Sequence, residues 1–366
     1  MLTARGRCCP VLVAAALACS DATSPPAPPT REPIDLSAEW VVSAPADEQI
    51  DGARLNAALG DAAGLPGLRS LLIVRHAHLV AERYFASAPA DSLYALRSVT
   101  KSVISLLVGI AIQHGAIRGT NQPLSELFHP PLPVLDATRG AITVADLLTM
   151  TSGFEWDEGT AVSEYNNWAL APDQIEYLLA RPLVSPPGTQ FNYNSAAVHL
   201  LSAVLEVNAG GTAAFADAYL FRPLGIQARV WELDDRGIPN GGAGLYLRPR
   251  DLAKVGQLVL QQGRSGATVV VSPGWILEST QPHLATGTQL GSLGLLDYGD
   301  LWWLGKAAGH DFVLAWGYGG QFVYIVPDLD LVLVATATWQ GLGGGAGAQA
   351  AGIANLIVNE IMLAVH

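Results

Sequence analysis

Residues 98–114 carry Val99, Val103, Ile104, Leu106, Leu107, Val108 and Ile110, spaced so that apolar side chains fall on every face of a helix. A helix without a polar face belongs in the middle of a protein, covered on all sides. Gly115 is a fitting stop signal. The remaining chain must supply the cover. With 366 residues, 50% of them hydrophobic, it has the material for one large domain or two interlocked ones.

The flanking segments say what that cover is. Residues 69–76 and 78–85 are rich in β-branched and apolar types and tightly joined, which predicts an antiparallel hairpin. Three more β-rich stretches follow near the other end, at 312–316, 321–326 and 330–338, and 349–365 reads as a closing helix. Helical patterns occupy 49–59, 144–150, 172–179, 197–207 and 250–261. Strands at both ends with helices between predict an α/β (α+β) fold, with one antiparallel sheet built from both termini and an all-helical region inserted. The expected domain is 46–366, with its sheet region at about 46–97 and 241–366 and its helical region at about 98–240.

Ser98 and Lys101 stand at the head of the apolar helix. Three residues apart, they share a face. A serine hydroxyl needs a base within hydrogen-bond reach to become a nucleophile. A lysine serves if burial holds it neutral. The chain has three lysines, Lys101, Lys254 and Lys306, and only Lys101 follows a serine at this spacing. The plainer reading makes Ser98 an N-cap and lets Lys101 protrude. Tyr193-Asn194-Ser195 follows a Pro186-Pro187-Gly188-Thr189 turn, which would present Tyr193 to a cleft as a proton relay, its phenolate favoured by Lys101. A core tyrosine is the alternative. Ala315-Trp316-Gly317-Tyr318-Gly319-Gly320-Gln321 lies between two strands, where glycines let backbone approach a ligand or merely turn a hairpin.

Taken in order, these three motifs resemble those of class C β-lactamases, D,D-peptidases and related esterases. Leu147 to Gly153, Pro187-Gly188-Thr189 and Gly242-Ala243-Gly244-Leu245 resemble further segments of the same family. The resemblance runs from about Ile50 to the end. It implies Ser98 as an acylated nucleophile, Lys101 and Tyr193 as general bases, and Ser195 in the place usually held by asparagine, beside Asn194. It also implies an oxyanion hole from the backbone N–H groups of Ser98 and Tyr318, once Ala315-Trp316-Gly317 is matched to the family's Lys-Thr-Gly. Only the glycine of that motif matches. Ala315 and Trp316 offer neither charge nor hydroxyl to a β-lactam carboxylate, so an ester or amide substrate is expected, as in the esterases and 6-aminohexanoate-oligomer hydrolases of the family. A true β-lactamase or D,D-carboxypeptidase is the alternative, and an inactive envelope-binding protein on the same fold a further one.

Arg5 and Arg7 precede a short apolar run, then Ala16-Leu17-Ala18 and Cys19. This reads as a signal peptide over 1–18. It resembles a bacterial lipobox, which implies acylation of Cys19, export to the cell envelope and a membrane anchor. Residues 19–45, rich in Pro, Ser and Thr, are expected to be a tether. Cys8, Cys9 and Cys19 are the only cysteines, so no disulfide is expected in the domain. No cofactor or metal is expected; His76 and His78 read as a polar edge-strand pair. The net charge of −12 argues against a nucleic-acid partner. Asp157, Glu158 and Glu164 read as a solvated loop, with Tyr165 and Trp168 beside them as cleft lining, and Trp302-Trp303 as core or cleft wall.

Overall fold

The computed structural model describes residues 31–158 and 164–366. Its strands are β1 (Leu68–Arg75), β2 (His78–Tyr84), β3 (Tyr94–Ala95), β4 (Arg229–Trp231), β5 (Leu245–Leu247), β6 (Arg264–Ser265) and β7 (Thr268–Val269). They continue as β8 (Leu284–Gln289), β9 (Leu295–Tyr298), β10 (Trp303–Ala307), β11 (His310–Gly317), β12 (Gln321–Val326) and β13 (Leu331–Ala337). The main sheet has eight strands in the order β2-β1-β13-β12-β11-β10-β9-β8, and each neighbouring pair is antiparallel. In the β1–β13 pairing Ile73 lies opposite Leu333. The N-terminal hairpin and the C-terminal strands therefore share one sheet, as their composition predicts.

Every residue of β12 and β13 is buried, and β1 is buried apart from half-buried Arg69. Strands covered on both faces read as unbroken apolar runs, not as alternation, which is why Leu71-Leu72-Ile73-Val74 looks as it does. The helix Pro249–Leu260 packs across β13, β12 and β1. Its Gly256 is a requirement of that contact: a Cβ there would come within 2.6 Å of Val332 and 2.7 Å of Val323. The helices Gly52–Ala62 and Ala346–Leu356 pack on each other, bringing the two ends of the domain together. Asp51 caps the first of these by accepting from the amides of Ala53 and Arg54, so that helix begins later than its apolar spacing suggests.

The helix Val99–Gln113 is buried at every position from Val99 to Ala111. It contacts β11 and β12 on one side and the helix Ser195–Asn208 on another. Trp275 closes a further side, its indole against Gly109, where a Cβ would sit 2.2 Å from the ring. The short helices Val144–Leu148 and Gln174–Leu179 pack on Ser195–Asn208 in turn. The inserted region is not wholly helical, because β4 joins β3 and β5 in a small sheet of order β3-β5-β4.

Three differences from the sequence reading have physical causes. Strands β8, β9 and β10 lie outside the strands read from the sequence: β8 and β10 each carry a glycine, and β9 spans four residues. The closing helix ends as an α-helix at Leu356 and continues as a π turn, Ile357–Ile361, and a 3-10 turn, Met362–Ala364. The stretch around Leu36 and Trp40, assigned to the tether, lies on the domain: the Leu36 amide donates to Ser265 Oγ at 2.9 Å and Trp40 Nε1 to the Arg250 carbonyl at 3.0 Å. Both side chains are buried, and burial of apolar area holds such a segment down. Residues 1–30, with Cys19 and the signal-peptide segment, lie outside the described residues. Among the described residues no helix is long and apolar enough to cross a membrane.

Candidate active site

Ser98 occupies the N-cap position of Val99–Gln113, yet its side chain caps no amide. The N-cap explanation of this serine therefore fails. Its Oγ instead lies 2.9 Å from Lys101 Nζ, one turn along. Lys101 does not protrude either. It is 1% exposed, and Nζ donates also to Ser195 Oγ at 2.7 Å and to the Gly242 carbonyl at 2.7 Å. Burial pushes the Lys101 ammonium down to about 8, with the charge of Arg97 acting the same way and that of Glu158 opposing it. A lysine in this state exchanges its proton near neutral pH, as a general base requires.

Tyr193 is brought to the same place by a laced loop. The Gly188 amide donates to the Thr151 carbonyl at 2.8 Å, the Asn192 amide to Met150 at 2.8 Å, and Asn192 Nδ2 to Trp156 at 3.0 Å. Gly153, at φ +83°, lies so close to the Ser185 carbonyl that a Cβ would come within 2.3 Å. The segments 147–153 and 187–189 are thus the buckle that sets Tyr193. Its ring faces Lys101, with Nζ 4.9 Å from the centroid, and stacks on Trp303 at 5.7 Å and 24°. Burial holds the phenol well above its ordinary range; the Glu158 charge adds to this, and a hydrogen bond with the Ser98 side chain opposes it. This corrects the expectation of a resting phenolate. At rest Tyr193 is a phenol, because burial and the Glu158 carboxylate outweigh the Arg97 cation.

Asn194 and Ser195 divide their tasks. Asn194 caps the helix Ser195–Asn208, accepting from the Ala197 amide at 2.9 Å, and this fixes the turn in which Tyr193 sits. Ser195, 0% exposed, accepts from Lys101 and donates to Glu158 Oε1 at 2.5 Å. Glu158 Oε2 takes the Ser195 amide at 2.8 Å and Trp156 Nε1 at 2.9 Å. Glu158 is accordingly not part of a solvated loop; it is a member of the site that sequence reasoning missed. Nothing in the sequence separates it from its acidic neighbours Glu155 and Asp157.

The Gly242 carbonyl is held by its own support. Asn240 Oδ1 accepts from the amides of Gly242 and Ala243 at 2.9 and 3.0 Å. A Cβ on Gly242 would come within 2.8 Å of the Ser195 carbonyl, so glycine is what lets this turn reach Lys101. From the other side β11 runs past the nucleophile. A Cβ on Gly317 would lie 2.3 Å from the Leu96 carbonyl, which places the end of β11 against the segment leading into Ser98. Ala315 is buried and Trp316 packs on Trp303, ring centroids 5.4 Å apart. The Tyr318 side chain is 44% exposed and donates to the Gly343 carbonyl at 2.8 Å. Among the described residues no backbone carbonyl accepts from the amide of Ser98 or of Tyr318.

Of the two aromatic residues read as cleft lining, Tyr165 belongs near the site: the Arg97 guanidinium lies 5.2 Å over its ring and 4.3 Å over that of Trp339. Trp168 does not. It is fully buried, donates to the Gln174 carbonyl at 3.0 Å and packs edge-on to His199. Trp302 is likewise core, whereas Trp303 is the wall beneath Tyr193. His76 and His78 both flank the Glu48 carboxylate, at 2.8 and 2.9 Å. Among the described residues no group of three His, Cys, Asp or Glu side chains is arranged to hold a metal ion.

Comparison with known proteins gives the same picture at family level. The family model described as Beta-lactamase matches residues 53–356. The 6-aminohexanoate-dimer hydrolase of Paenarthrobacter ureafaciens is 28% identical over 74% of this chain and 72% of its own. Esterase EstB of Burkholderia gladioli is 28% identical over 54% of this chain, a match that spans about half of that protein, 53%. The octameric penicillin-binding protein homologue from Pyrococcus abyssi superposes with a TM-score of 0.66 at 18% identity, over 85% of this chain and 78% of its own. That likeness concerns the fold. With a matching model over most of its length and the serine and lysine of the first motif in contact, the chain belongs to the Beta-lactamase family, as a serine hydrolase of the β-lactamase-related kind.

Proposed function

We propose that the protein cleaves an ester or amide bond through an acyl-enzyme on Ser98, with Lys101 as the general base and the Tyr193 phenol as the proton relay to the leaving group. The observation that carries this reading is the buried Lys101 amine, 2.9 Å from Ser98 Oγ and pushed down to about 8. Neutral Lys101 takes the Ser98 proton as Oγ forms a bond to the substrate carbonyl carbon. The carbonyl electron pair moves onto oxygen, between the amides of Ser98 and Tyr318. As the tetrahedral species collapses, the bond to the leaving group breaks. The proton held by Lys101 reaches the departing oxygen or nitrogen through the Tyr193 phenol. Water then repeats the sequence in reverse and frees Ser98.

The substrate reading rests on what surrounds that centre. Ala315 and Trp316 bring no charge, and Trp303, Trp316 and Tyr193 present aromatic surface. A 6-aminohexanoate-dimer hydrolase and an esterase among the relatives point the same way. Labelling with a fluorophosphonate, then a panel of p-nitrophenyl esters, nitrocefin and D-Ala-D-Ala peptides, tests the proposal. Ester turnover that depends on Ser98 supports it; failure of both labelling and turnover removes it and leaves the binding-protein alternative. Export and acylation at Cys19 belong to the same proposal, and radiolabelled palmitate incorporation that is lost in Cys19→Ala is the check.

A further inference from the structure

From the contacts of Ser195 we infer that Glu158 is a positioning residue for the reaction: through the Ser195 hydroxyl it aims the Lys101 lone pair at Ser98. The inference rests on the hydrolase reading above and goes beyond it by adding a fourth polar group.

The argument is one of donors and acceptors. Neutral Lys101 has two N–H bonds and one lone pair, and it faces three oxygens. The Gly242 carbonyl can only accept. A hydroxyl can either donate or accept, so Ser195 alone would not fix the amine. Glu158 removes that freedom. Its carboxylate takes the Ser195 proton at 2.5 Å, a charge-assisted bond, and leaves the Ser195 oxygen only lone pairs to turn toward Lys101. Both N–H bonds of Lys101 are then committed, to Ser195 and Gly242. The lone pair is left for the one partner with a proton to give, Ser98. Glu158 is itself held by the Ser195 amide and by Trp156 Nε1, so its orientation is not free.

Glu158 also acts by charge. The charged and titratable groups around Lys101 are Glu158, Arg97 and Tyr193, with Tyr165 and Tyr298 behind them. Among these Glu158 is the anion. Its removal lowers the pH at which Lys101 loses its proton while releasing the Ser195 hydroxyl, so the two effects move different observables.

The test uses the full chain with ε-13C-lysine, whose three lysines give three resonances. In Glu158→Gln the Lys101 signal is expected to titrate about one pH unit lower than in wild type, as loss of a nearby opposite charge dictates. The Lys254 and Lys306 signals, which stay put, report an intact fold. The rate of Ser98 labelling by a fluorophosphonate on the alkaline plateau is expected to fall at least about tenfold. Ser195→Ala keeps the charge and breaks the relay; it is expected to lower the plateau similarly with a smaller shift of the Lys101 titration. The double variant should fall no further than either alone, because the groups act as one chain. An unshifted Lys101 titration with a plateau within about twofold of wild type overturns the inference. So does a lowered plateau with no shift, which is what a loop anchor alone would give. If wild type neither labels nor hydrolyses esters, the hydrolase reading fails first, and the lysine titration still reports whether Glu158 governs Lys101.

Discussion

His199 Nε2 lies 2.9 Å from Asp234 Oδ2, with both side chains closed off from solvent. The other ring nitrogen, Nδ1, accepts from the Gly241 amide at 3.3 Å, so the ring proton sits on Nε2 and is donated to Asp234. Burial opposes the Asp234 charge, but His199 and the amides of Ile238 and Arg236 outweigh it and keep the carboxyl below its ordinary range. The pair holds the residue before Gly242, whose carbonyl receives Lys101. Removing the imidazole leaves a buried carboxylate short of a donor and loosens that carbonyl. His199→Ala is expected to cost roughly 3 kcal/mol in equilibrium denaturation. The sign with pH follows: the Asp234 contribution is present above the ordinary carboxylate range and is lost as pH falls through its lowered value. A variant as stable as wild type at pH 7 would show that the pair is incidental.

Ser98→Ala should abolish turnover and leave stability almost untouched. The hydroxyl caps no amide of its helix, so even the ~1 kcal/mol of a lost N-cap does not apply. Unchanged ester hydrolysis by the purified variant would remove Ser98 from the mechanism.

The pH profile is fixed in direction by Lys101. Only the neutral amine can accept the Ser98 proton, and burial sets its titration at about 8. Log kcat/KM for a neutral ester should rise with unit slope through pH 6 and 7 and level off near that value. Tyr193 adds no acid limb, since its phenol titrates far above this range. A profile flat from pH 6 to pH 9 would contradict the assignment of Lys101.

How much of this was legible beforehand depends on where each signal is stored. The apolar helix and its lysine were readable because both lie within one turn of sequence, and a lysine at the head of such a helix has no solvated face to occupy. Tyr193 was readable only in company, since a tyrosine in a loop has a plain core explanation. Glu158 was not readable. Its role comes from folding a polar loop back onto the first residue of the helix Ser195–Asn208, and no local spacing records that approach. Trp168 misled for the converse reason: it sits one turn from Tyr165, yet points into the core. Strand β8 alternates in burial, but its residues, Leu-Ala-Thr-Gly-Thr-Gln, do not alternate apolar with polar, and β9 and β10 span only four and five residues.

Short-chain aryl esters should be turned over faster than nitrocefin, by at least about tenfold in kcat/KM. A β-lactam brings a carboxylate that must be desolvated, and a charge-assisted partner for it is worth about 1.5–3 kcal/mol, or roughly one to two decades. Ala315 and Trp316 supply none. Arg248 and Arg250 are spent on ion pairs: Arg248 with Asp251 at 2.7 Å and Arg250 with Glu82 at 2.5 Å. Arg97 is the arginine next to the nucleophile. It directly precedes Ser98, its guanidinium lies over the rings of Tyr165 and Trp339, and among the described residues its Nε has no hydrogen-bond partner. If a carboxylate-bearing substrate is accepted, Arg97 is where it docks. The measurement is therefore a pair of substrates on a pair of proteins. Wild type should prefer p-nitrophenyl butyrate to nitrocefin, and on the alkaline plateau, where Lys101 is neutral in both proteins, Arg97→Gln should widen the gap by lowering what nitrocefin turnover there is. Nitrocefin turnover equal to or faster than the ester's in wild type would replace the esterase reading with that of a β-lactamase.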